Sequence, residues 1–524
     1  MATKRFRPQQ KPLEQESSAE TQPSEDRSPL AAVTGEQVRA HSFLQRRNEA
    51  AIVENEVDMR DDAGQRENGF LMLSWFVAAL LAVAFLVLAY LQPYGRVDQS
   101  PIVADGDHEA IYVFTADGKL HPAQNLVSAQ LIAGQPVKAA KVKSSVINQY
   151  PPGPKVGIVG APDALNIVSG TESRWALCDT APAASSDPTP TVTALSGRLT
   201  LGERADVLRT DTAVLAEHAG SNYVIWGGHR SRIDLKNRPL ALALGIDSSA
   251  VPPVRMSKAL FDAVPATESL ETPQIPQSGE SARWPTGPGA VIGSVLKVVG
   301  LGGAGDELYV LLADGVQRIE PFVAALLMSS SPTGQVAPIA VSPKVVATVP
   351  TVNSLRVDYY PPRRLTLIDT RAYPVVCVAW SKGVTDREAV VQLISGKGLP
   401  IPISEDSHLA KLIRNDRRPN SVEANQTRID PGAPNLVVTT SAAPGATSRE
   451  SLWWIAPNGM RYGIEQDDDT LNGLGLKKPV PQAVQAPWPM IQAFGTGPAL
   501  SRQAALVAFD SVSAPPVLEP VRPK

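Results

Sequence analysis

The sequence has almost no net charge. Its 524 residues carry 49 Lys and Arg against 52 Asp and Glu, a formal net charge of −3. Residues 1–69 hold 10 basic and 13 acidic residues, so the rest of the chain is balanced at 39 of each sign. Nucleic-acid binding depends on neutralising phosphates with clustered Lys and Arg. The balance therefore argues against DNA or RNA as a partner.

Metal-binding residues and catalytic motifs are also scarce. The chain has two Cys and six scattered His, so no metal site is expected. There is no Walker A sequence, no GxSxG elbow and no HExxH motif, which excludes P-loop ATP hydrolysis and the hydrolases those motifs mark. A pair of carboxylates for glycan cleavage, assembled from distant residues, stays open. No catalytic residue, metal ligand or cofactor-binding residue is assigned, and no cofactor is expected.

Two local patterns resemble functional sites. A GxGxxG match lies at Gly300, Gly302 and Gly305, but it leads into the strand-like DELYVLLADG instead of a helix. A dinucleotide site needs that helix N-terminus, so we expect a loop between two strands. Asp467, Asp468 and Asp469 are typical of the acidic start of a helix, where they complement its dipole.

Only one long apolar run is present. Residues 70–91 (FLMLSWFVAALLAVAFLVLAYL) contain no charged residue, and this length crosses a hydrocarbon core of roughly 30 Å. A cleaved secretory signal is the alternative, but the run is too long and starts too far from the N-terminus. We therefore predict one transmembrane helix.

The charges beside this helix predict its orientation. Arg46, Arg47, Arg60 and Arg66 precede it, while Arg96 alone follows closely, which favours a cytosolic N-terminus. The predicted organisation is a cytosolic segment at 1–69, the span at 70–91, a large outer region at 92–510 and a tail at 511–524. Residues 1–30 and the Pro-rich tail are expected to be disordered.

The cytosolic segment has one predicted helix of its own. It begins at about residue 34, where Thr34 and Gln37 have the spacing of a capping box. Its apolar positions form a broad side: Val38, Phe43, Leu44, Ala51, Val53 and Val57. This side either docks against cytosolic partners or belongs to a solvated juxtamembrane helix. We favour docking, because the segment offers nothing else for it to pack against.

Proline and glycine shape the outer region. The chain has 47 Pro and 38 Gly, which excludes a mainly helical protein. Four segments share an aromatic residue, a β-prone run and a turn dipeptide. The dipeptides predict hairpins whose turns need positive φ angles. They are Asp117-Gly118, Gly227-Gly228, Asp314-Gly315 and Asn458-Gly459.

Each predicted hairpin is followed by a helical stretch. These stretches begin at Leu126, Asn237, Pro321 and Asp469. The segments between the units are rich in Val, Ile and Thr, and we interpret them as strands of a central β domain. The predicted fold class is therefore α+β: one N-terminal transmembrane helix, then four hairpin-plus-helix repeat modules around a central β domain.

The two cysteines lie in this central domain. Cys178 (WALCD) and Cys377 (CVAW) are on the predicted outer side, where disulfides persist. Each has a Trp three residues away, Trp175 and Trp380, which could cover a bridge. The alternatives are a Cys178–Cys377 disulfide and two unrelated buried thiols. We expect the disulfide, although spacing alone does not establish pairing.

The combination of motifs resembles the EccB family, a core membrane component of type VII (ESX) secretion systems in mycobacteria and related actinobacteria. The resemblance extends from about residue 36 to 510. It is carried by the Gln37–Arg47 segment (QVRAHSFLQRR) and by these later motifs: SPIVADGDHEAIYVF, YPPGPKVGIVGAP, WALCDT, YVIWGGHRSRID, SKALFDAVPA, LLADGVQRI, SLWWIAPNGMRYGI and APWPMIQAFGTGPALSR.

The resemblance implies a place in the inner membrane with EccC, EccD and EccE. It implies a periplasmic part of four repeat modules around a central β domain held by a disulfide, and association of these periplasmic parts with one another. The repeats look like a phage-lysin cell-wall-binding subunit. Family members often carry an ATPase label, which the residues of this chain do not support.

The motifs and the family resemblance leave three functions open. The main expectation is a structural core component of the secretion channel, whose periplasmic domain associates over the pore. One alternative is an ATPase with an unconventional site, and another is a cell-wall anchor. An enzymatic role is not expected, because no catalytic motif is present.

Overall fold

The structure is a computed structural model that describes residues 35–54, 63–91, 100–182, 189–246, 252–299, 305–413 and 421–510. The predicted disordered segments, 1–30 and 511–524, lie outside these ranges. The chain divides into two compact units, 1–93 and 94–524, and each is described by itself.

The first unit contains two helices, α1 (Gly35–Glu54) and α2 (Ala63–Leu91). Within α2, the 20 residues Gly69–Leu88 are apolar enough to cross a membrane, and no other helix in the described ranges has this property. The large apolar residues of α1 are exposed, Phe43 to 42% and Leu44 to 56%, whereas Ala51 is half-buried. Thr34 and Val57 of the predicted cytosolic helix lie outside the described ranges.

The second unit begins with a four-stranded sheet in the order β3-β2-β1-β4. Its strands are antiparallel, except that β4 returns parallel to β1 after a helix. Asn125 caps that helix by accepting a hydrogen bond from the Ser128 N–H. The elements are β1 (Ile102–Asp105), β2 (Ile111–Phe114), β3 (Leu120–Pro122), α3 (Leu126–Ala133), β4 (Ala140–Val142), α4 (Ser144–Ile147) and β5 (Lys155–Val156).

Three strands of a central sheet follow, and then the second small sheet. The central strands are β6 (Glu172–Thr180), β7 (Thr191–Ser196) and β8 (Ala205–Val207). The second sheet has the order β11-β10-β9-β12. Its elements are β9 (Thr212–His218), β10 (Ser221–Trp226), β11 (His229–Ile233), α5 (Arg238–Leu244), β12 (Val254–Arg255) and α6 (Lys258–Ala263).

The third sheet repeats this strand order as β15-β14-β13-β16. Pro321 opens its helix, at a position where a missing N–H costs no helical hydrogen bond. The elements are β13 (Val295–Val298), β14 (Glu307–Leu311), β15 (Val316–Ile319), α7 (Pro321–Ser329), β16 (Ile339–Val341) and α8 (Pro343–Ala347). A short strand, β17 (Thr366–Leu367), then pairs with β9 of the second sheet.

The chain next returns to the central sheet, whose order is β20-β21-β7-β6-β18-β19-β8. The added elements are β18 (Val375–Gly383), β19 (Val390–Gly396), a 3₁₀ helix (Ile403–His408), β20 (Ala410–Lys411) and β21 (Gln426–Ile429). This sheet is thus assembled from two distant parts of the sequence, as predicted for the Val-, Ile- and Thr-rich segments.

The fourth sheet completes the chain, with the order β25-β22-β23-β24-β26. Its elements are β22 (Leu436–Thr440), β23 (Leu452–Ile455), β24 (Met460–Ile464), α9 (Asp468–Gly473), β25 (Val484–Pro487), α10 (Trp488–Ile491), β26 (Gly495–Thr496), α11 (Arg502–Ala505) and β27 (Ala508–Phe509). The last strand, β27, pairs with β5 beside the first sheet.

The four predicted hairpins form, but the prediction that every turn needs positive φ was wrong. Gly227 and Gly228 both have positive φ, at +54° and +83°. Gly118 and Gly459 do as well, but the preceding Asp117 and Asn458 do not. Their turns close with hydrogen bonds from Gly118 N–H to Thr115 O and from Gly459 N–H to Ala456 O, as in a type I turn followed by a glycine bulge.

Gly315 differs from the other turn glycines, since its φ is not positive. A Cβ at this position would overlap the carbonyl oxygen of Pro350. The turn at Asp314-Gly315 therefore needs glycine because another backbone segment passes close to it.

Candidate functional site: the central sheet and its attachments

The two faces of the central sheet pack against different parts of the chain. Because strand side chains alternate, one face presents Trp175 and Leu177 of β6 and Val378 of β18. This face packs against α6 of the second sheet and α10 of the fourth. The opposite face packs against a segment, residues 397–411, that follows β19.

The disulfide lies on that opposite face. Cys178 in β6 and Cys377 in β18 are directly opposed residues of an antiparallel ladder, with a Cα–Cα distance of 4.0 Å. The structure joins them as a disulfide, and both residues are fully buried. The bond links positions 199 residues apart. The loop that it closes contains the second and third sheets.

The suggestion that Trp175 and Trp380 cover the disulfide was wrong. Each Trp is three residues from its Cys, an odd separation, so the two side chains point to opposite faces of the strand. Both Trp side chains belong to the core beside α6 and α10, whereas the disulfide is in the core on the other face. Leu399 and Ile401 instead cover the face of the sheet that carries the disulfide.

Asp179 attaches the second sheet to the centre. Its side chain is 5% exposed at the end of β6. One carboxylate oxygen accepts from the Ser257 N–H at 2.7 Å and the other from the Ser257 hydroxyl at 2.6 Å. Ser257 in turn caps α6 by accepting from the Leu260 N–H. Burial outweighs these hydrogen bonds and raises the pKa of Asp179 to about 7.

The surroundings of Asp179 are mostly apolar. It lines a cavity of about 10 Å³ with Met256, Leu260 and Val376. The charged side chain at this cavity is Arg255, which is paired with Glu217 at 3.7 Å. The sequence offered no signal for this contact, because Asp179 and Ser257 are 78 residues apart.

Arg461 organises the fourth sheet. Its guanidinium donates to the carbonyl oxygens of Ile491, Gln492 and Phe494 and to the Thr496 hydroxyl. It lies 5.4 Å from the ring centre of Trp453 and 5.3 Å from that of Trp488, distances typical of cation–π contacts. Burial lowers the pKa of Arg461. The Thr496 hydroxyl also donates to Glu423, just before β21 of the central sheet.

The first and third sheets are attached to their neighbours instead of to the centre. The first and fourth sheets share a core in which α3 packs on α9 and α11. The second and third sheets share a core in which α5 packs on α7. In the described ranges, the order of contact is therefore first sheet, fourth sheet, central sheet, second sheet, third sheet.

The GxGxxG match and the three consecutive aspartates at 467–469 both have structural roles. The GxGxxG match connects β13 to the antiparallel β14, and residues 300–304 themselves lie outside the described ranges. Asp467 caps α9 by accepting from the Thr470 N–H, and Asp468 and Asp469 lie in its first turn. Within the described residues, no group of three or more His, Cys, Asp or Glu side chains is placed to hold a metal ion.

A polar cleft lies in the second sheet. Its volume is about 640 Å³, and it lies at one end of the second sheet beside residues 269–274. The charged side chains on its wall are Arg232, Lys236, Asp234 and Glu271. These are two basic and two acidic residues, so the cleft favours neither anions nor cations.

Comparison with known families identifies the chain. Residues 30–514 match the family model described as type VII secretion system ESX-1, transport TM domain B. The chain belongs to the EccB family. The match includes α1, the apolar helix α2 and all five main sheets of the β-rich region.

Curated EccB relatives are similar over most of their length. The ESX-2 secretion system ATPase EccB2 of Mycobacterium tuberculosis is 46% identical over 484 residues, 92% of this chain and 96% of the relative. The ESX-5 secretion system ATPase EccB5 of the same species is 35% identical, with 92% and 95% covered. The ESX-3 secretion system ATPase EccB3 of Mycolicibacterium smegmatis is 33% identical, with 92% of each chain covered.

Solved EccB structures are similar as well. A chain of an intact ESX-5 inner membrane complex aligns with a TM-score of 0.72 at 33% identity, covering 95% of this chain and 99% of that one. A chain of the EccB3 dimer from the ESX-3 core complex aligns with a TM-score of 0.67 at 32% identity, covering 78% and 100%. This EccB protein is accordingly an inner-membrane protein, with α1 on the cytosolic side and its β-rich region in the periplasm.

Proposed function

We propose that this EccB chain is a structural core subunit of an ESX inner membrane complex. The observation that carries the proposal is the alignment with a chain of an intact ESX-5 inner membrane complex, which covers 95% of this chain at 33% identity. In this role α2 anchors the subunit in the membrane beside EccC, EccD and EccE. The periplasmic region associates with further copies of itself, as in the EccB3 dimer.

We also propose that the four small sheets are repeat modules around the central sheet. Three of them have the same order, in which a three-stranded meander is followed by a helix and a fourth strand parallel to the first. The fourth has the same arrangement with one extra strand, β26. Such small modules need neighbours to bury their apolar faces.

The residues favour a structural role over catalysis. The names of the curated relatives contain the word ATPase, yet this sequence has no Walker A motif. The contacts described above are those of a rigid scaffold: a buried disulfide, a buried arginine among carbonyls and shared apolar cores.

The apolar side of α1 is proposed to dock against cytosolic parts of the other subunits. Phe43 and Leu44 are both exposed among the residues that the structure describes. An exposed apolar side on a cytosolic helix is typical of a helix that binds in a groove of another protein.

A blue-native gel of the co-expressed membrane subunits tests this function. The full chain should migrate with EccC, EccD and EccE, and a Phe43→Glu, Leu44→Glu variant should stay in the membrane but leave the complex. A Gln45→Glu, Asn48→Glu variant is the matched control, because it adds the same charge to the same helix. A full chain that runs alone, or ATP turnover by the purified chain, would contradict a purely structural role.

A further inference from the structure

The segment 397–411, called the strap here, crosses one face of the central sheet. It follows β19 near one edge of the sheet and ends with β20 at the other edge. On the way it passes the strands that carry Cys178 and Cys377. Leu399 and Ile401 are buried against these residues, and Leu409 packs at the rim of the same core. The strap therefore lies between the disulfide and solvent.

The beginning of the strap is tied to the loop before β8. The Lys397 N–H donates to the Arg204 carbonyl at 2.8 Å, and the Thr200 N–H donates to the Pro400 carbonyl at 2.9 Å. Gly398 leaves room for the Arg204 side chain, whose Nε would be 2.8 Å from a Cβ at that position.

Two ion pairs hold the middle of the strap. Arg204 donates to both carboxylate oxygens of Asp406, at 2.6 and 2.9 Å. Arg428, a mostly buried residue of β21, donates to Glu405 at 2.7 Å. The two arginines come from near opposite edges of the sheet. Glu405 and Asp406 are neighbours in one short 3₁₀ helix. Their ion pairs therefore connect this helix to both edge regions of the central sheet.

The apolar contact of the strap is small by comparison. Its buried residues are Leu399, Pro400 and Ile401, with Leu409 partly buried, while Ile403 is 59% exposed. A segment with few buried apolar residues and partly exposed polar ties opens at a lower free energy than the sheet beneath it. The sheet, in contrast, is held along the full length of β6 and β18.

We propose that the strap is a cover that controls thiol access to the Cys178–Cys377 disulfide, and that its local opening limits reduction of this bond in the folded protein. Reduction requires a thiolate to approach one sulfur atom in line with the bond. With a dithiol reductant, the thiolate attacks one Sγ and the S–S bond breaks. The other cysteine leaves as a thiolate and takes a proton. The second reductant thiolate then attacks the reductant's own sulfur in this mixed disulfide and expels the protein cysteine as a thiolate, which takes a proton. The products are two protein thiols and one oxidised, cyclic reductant.

The experiment measures the rate of reduction of the full-length protein in detergent. Dithiothreitol is added, samples are quenched with a maleimide mass tag, and the labelled fraction is followed with time. The chain contains only two cysteines, so every tag reports this disulfide. A Glu405→Gln, Asp406→Asn variant should be reduced about ten-fold faster than the wild type, since it loses both ion pairs of the strap.

A matched variant separates the strap from general charge effects. Glu268→Gln with Asp306→Asn also removes two negative charges and two ion pairs, with Arg356 and Lys297, away from the strap. It should be reduced at the wild-type rate. Equal rates in the two double variants would overturn the proposal.

The urea dependence of the rate distinguishes local from global opening. Local opening exposes little surface, so the rate in low urea should rise only weakly. Hydrogen exchange in residues 397–411 should accelerate in the strap variant and stay unchanged in the matched variant. A rate that rises as steeply with urea as global unfolding would overturn the proposal, because the disulfide would then be exposed only by unfolding of the sheet.

Discussion

The second and fourth sheets touch the central sheet directly, whereas the first and third sheets are packed on those two. All four share a meander, a helix and a returning parallel strand. Sheets of the same topology therefore pack either directly on the central sheet or on another small sheet. Among the described residues, two sheets pack on both the central sheet and an outer sheet, and the other two share a core with one neighbouring sheet each.

The hairpin turns show the difference at single residues. A Cβ at Gly228, in the second sheet, would lie 2.8 Å from the Val391 carbonyl oxygen of β19. A Cβ at Gly459, in the fourth sheet, would overlap the Thr427 hydroxyl of β21. At Gly118, in the first sheet, nothing lies within 4 Å. The inner turns are pressed against the central sheet, and the outer turn at Gly118 is open.

The largest expected effect comes from removing the disulfide. Cys178→Ala with Cys377→Ala should lower the free energy of unfolding by about 5 kcal/mol, because a loop of this length loses that much chain entropy when it is cross-linked in the unfolded state. The second and third sheets lie inside the loop, and the first and fourth lie outside it. Hydrogen exchange should therefore accelerate most in the second and third sheets.

The control for this variant is the wild-type protein reduced after unfolding and refolded with reductant present. It should show the same pattern of exchange, since it lacks the same bond. Equal acceleration in all four sheets would show that the disulfide does not stabilise the sheets inside the loop more than the sheets outside it.

The turn glycines give the next largest effect. Gly459→Ala and Gly228→Ala should each destabilise the protein by about 3 kcal/mol, because positive φ strain adds to overlap with the central sheet. Gly118→Ala should cost about 1 kcal/mol, from φ strain alone. Urea unfolding of the three variants gives the measurement. A Gly118→Ala variant as unstable as Gly459→Ala would remove the distinction between inner and outer turns.

Much of this architecture was visible in the sequence. The apolar run, the turn dipeptides and the helical stretches after them predicted the span, the four hairpins and α3, α5, α7 and α9, since each depends on neighbouring residues. The Val-rich segments around the cysteines predicted strands of a shared centre. Local patterns of this kind predict helices and hairpins because periodicity and turn chemistry act over only a few residues.

Contacts between segments that are distant in the sequence could not be predicted in this way. Asp179 meets Ser257, and Arg204 meets Asp406, only after distant segments have packed. The prediction that Trp175 and Trp380 cover the disulfide failed because residues close in the sequence were assumed to be close in space. At an odd separation in a strand, the alternation of faces puts such neighbours on opposite sides.

The last prediction concerns how the two inner sheets are attached. The second sheet is tied to the centre through the buried carboxyl group of Asp179, and the fourth is organised by the guanidinium of Arg461. The pKa of Asp179 is raised from 3.8 to about 7, so the folded state holds its proton more tightly than the unfolded state. The free energy of unfolding should therefore fall as pH rises from about 4 to about 7, by at most about 1.4 kcal/mol per pH unit from this group.

Asp179→Asn should remove this contribution, because the amide keeps the size of the carboxyl group and does not titrate. Hydrogen exchange of α6, corrected for the intrinsic effect of pH, should accelerate between pH 5 and pH 8 in the wild type and change less in the variant. Residues 488–496, around Arg461, provide the internal control, since a guanidinium stays charged throughout this range. If both regions loosen equally with rising pH, the carboxyl group of Asp179 is not what distinguishes the attachment of the second sheet from that of the fourth.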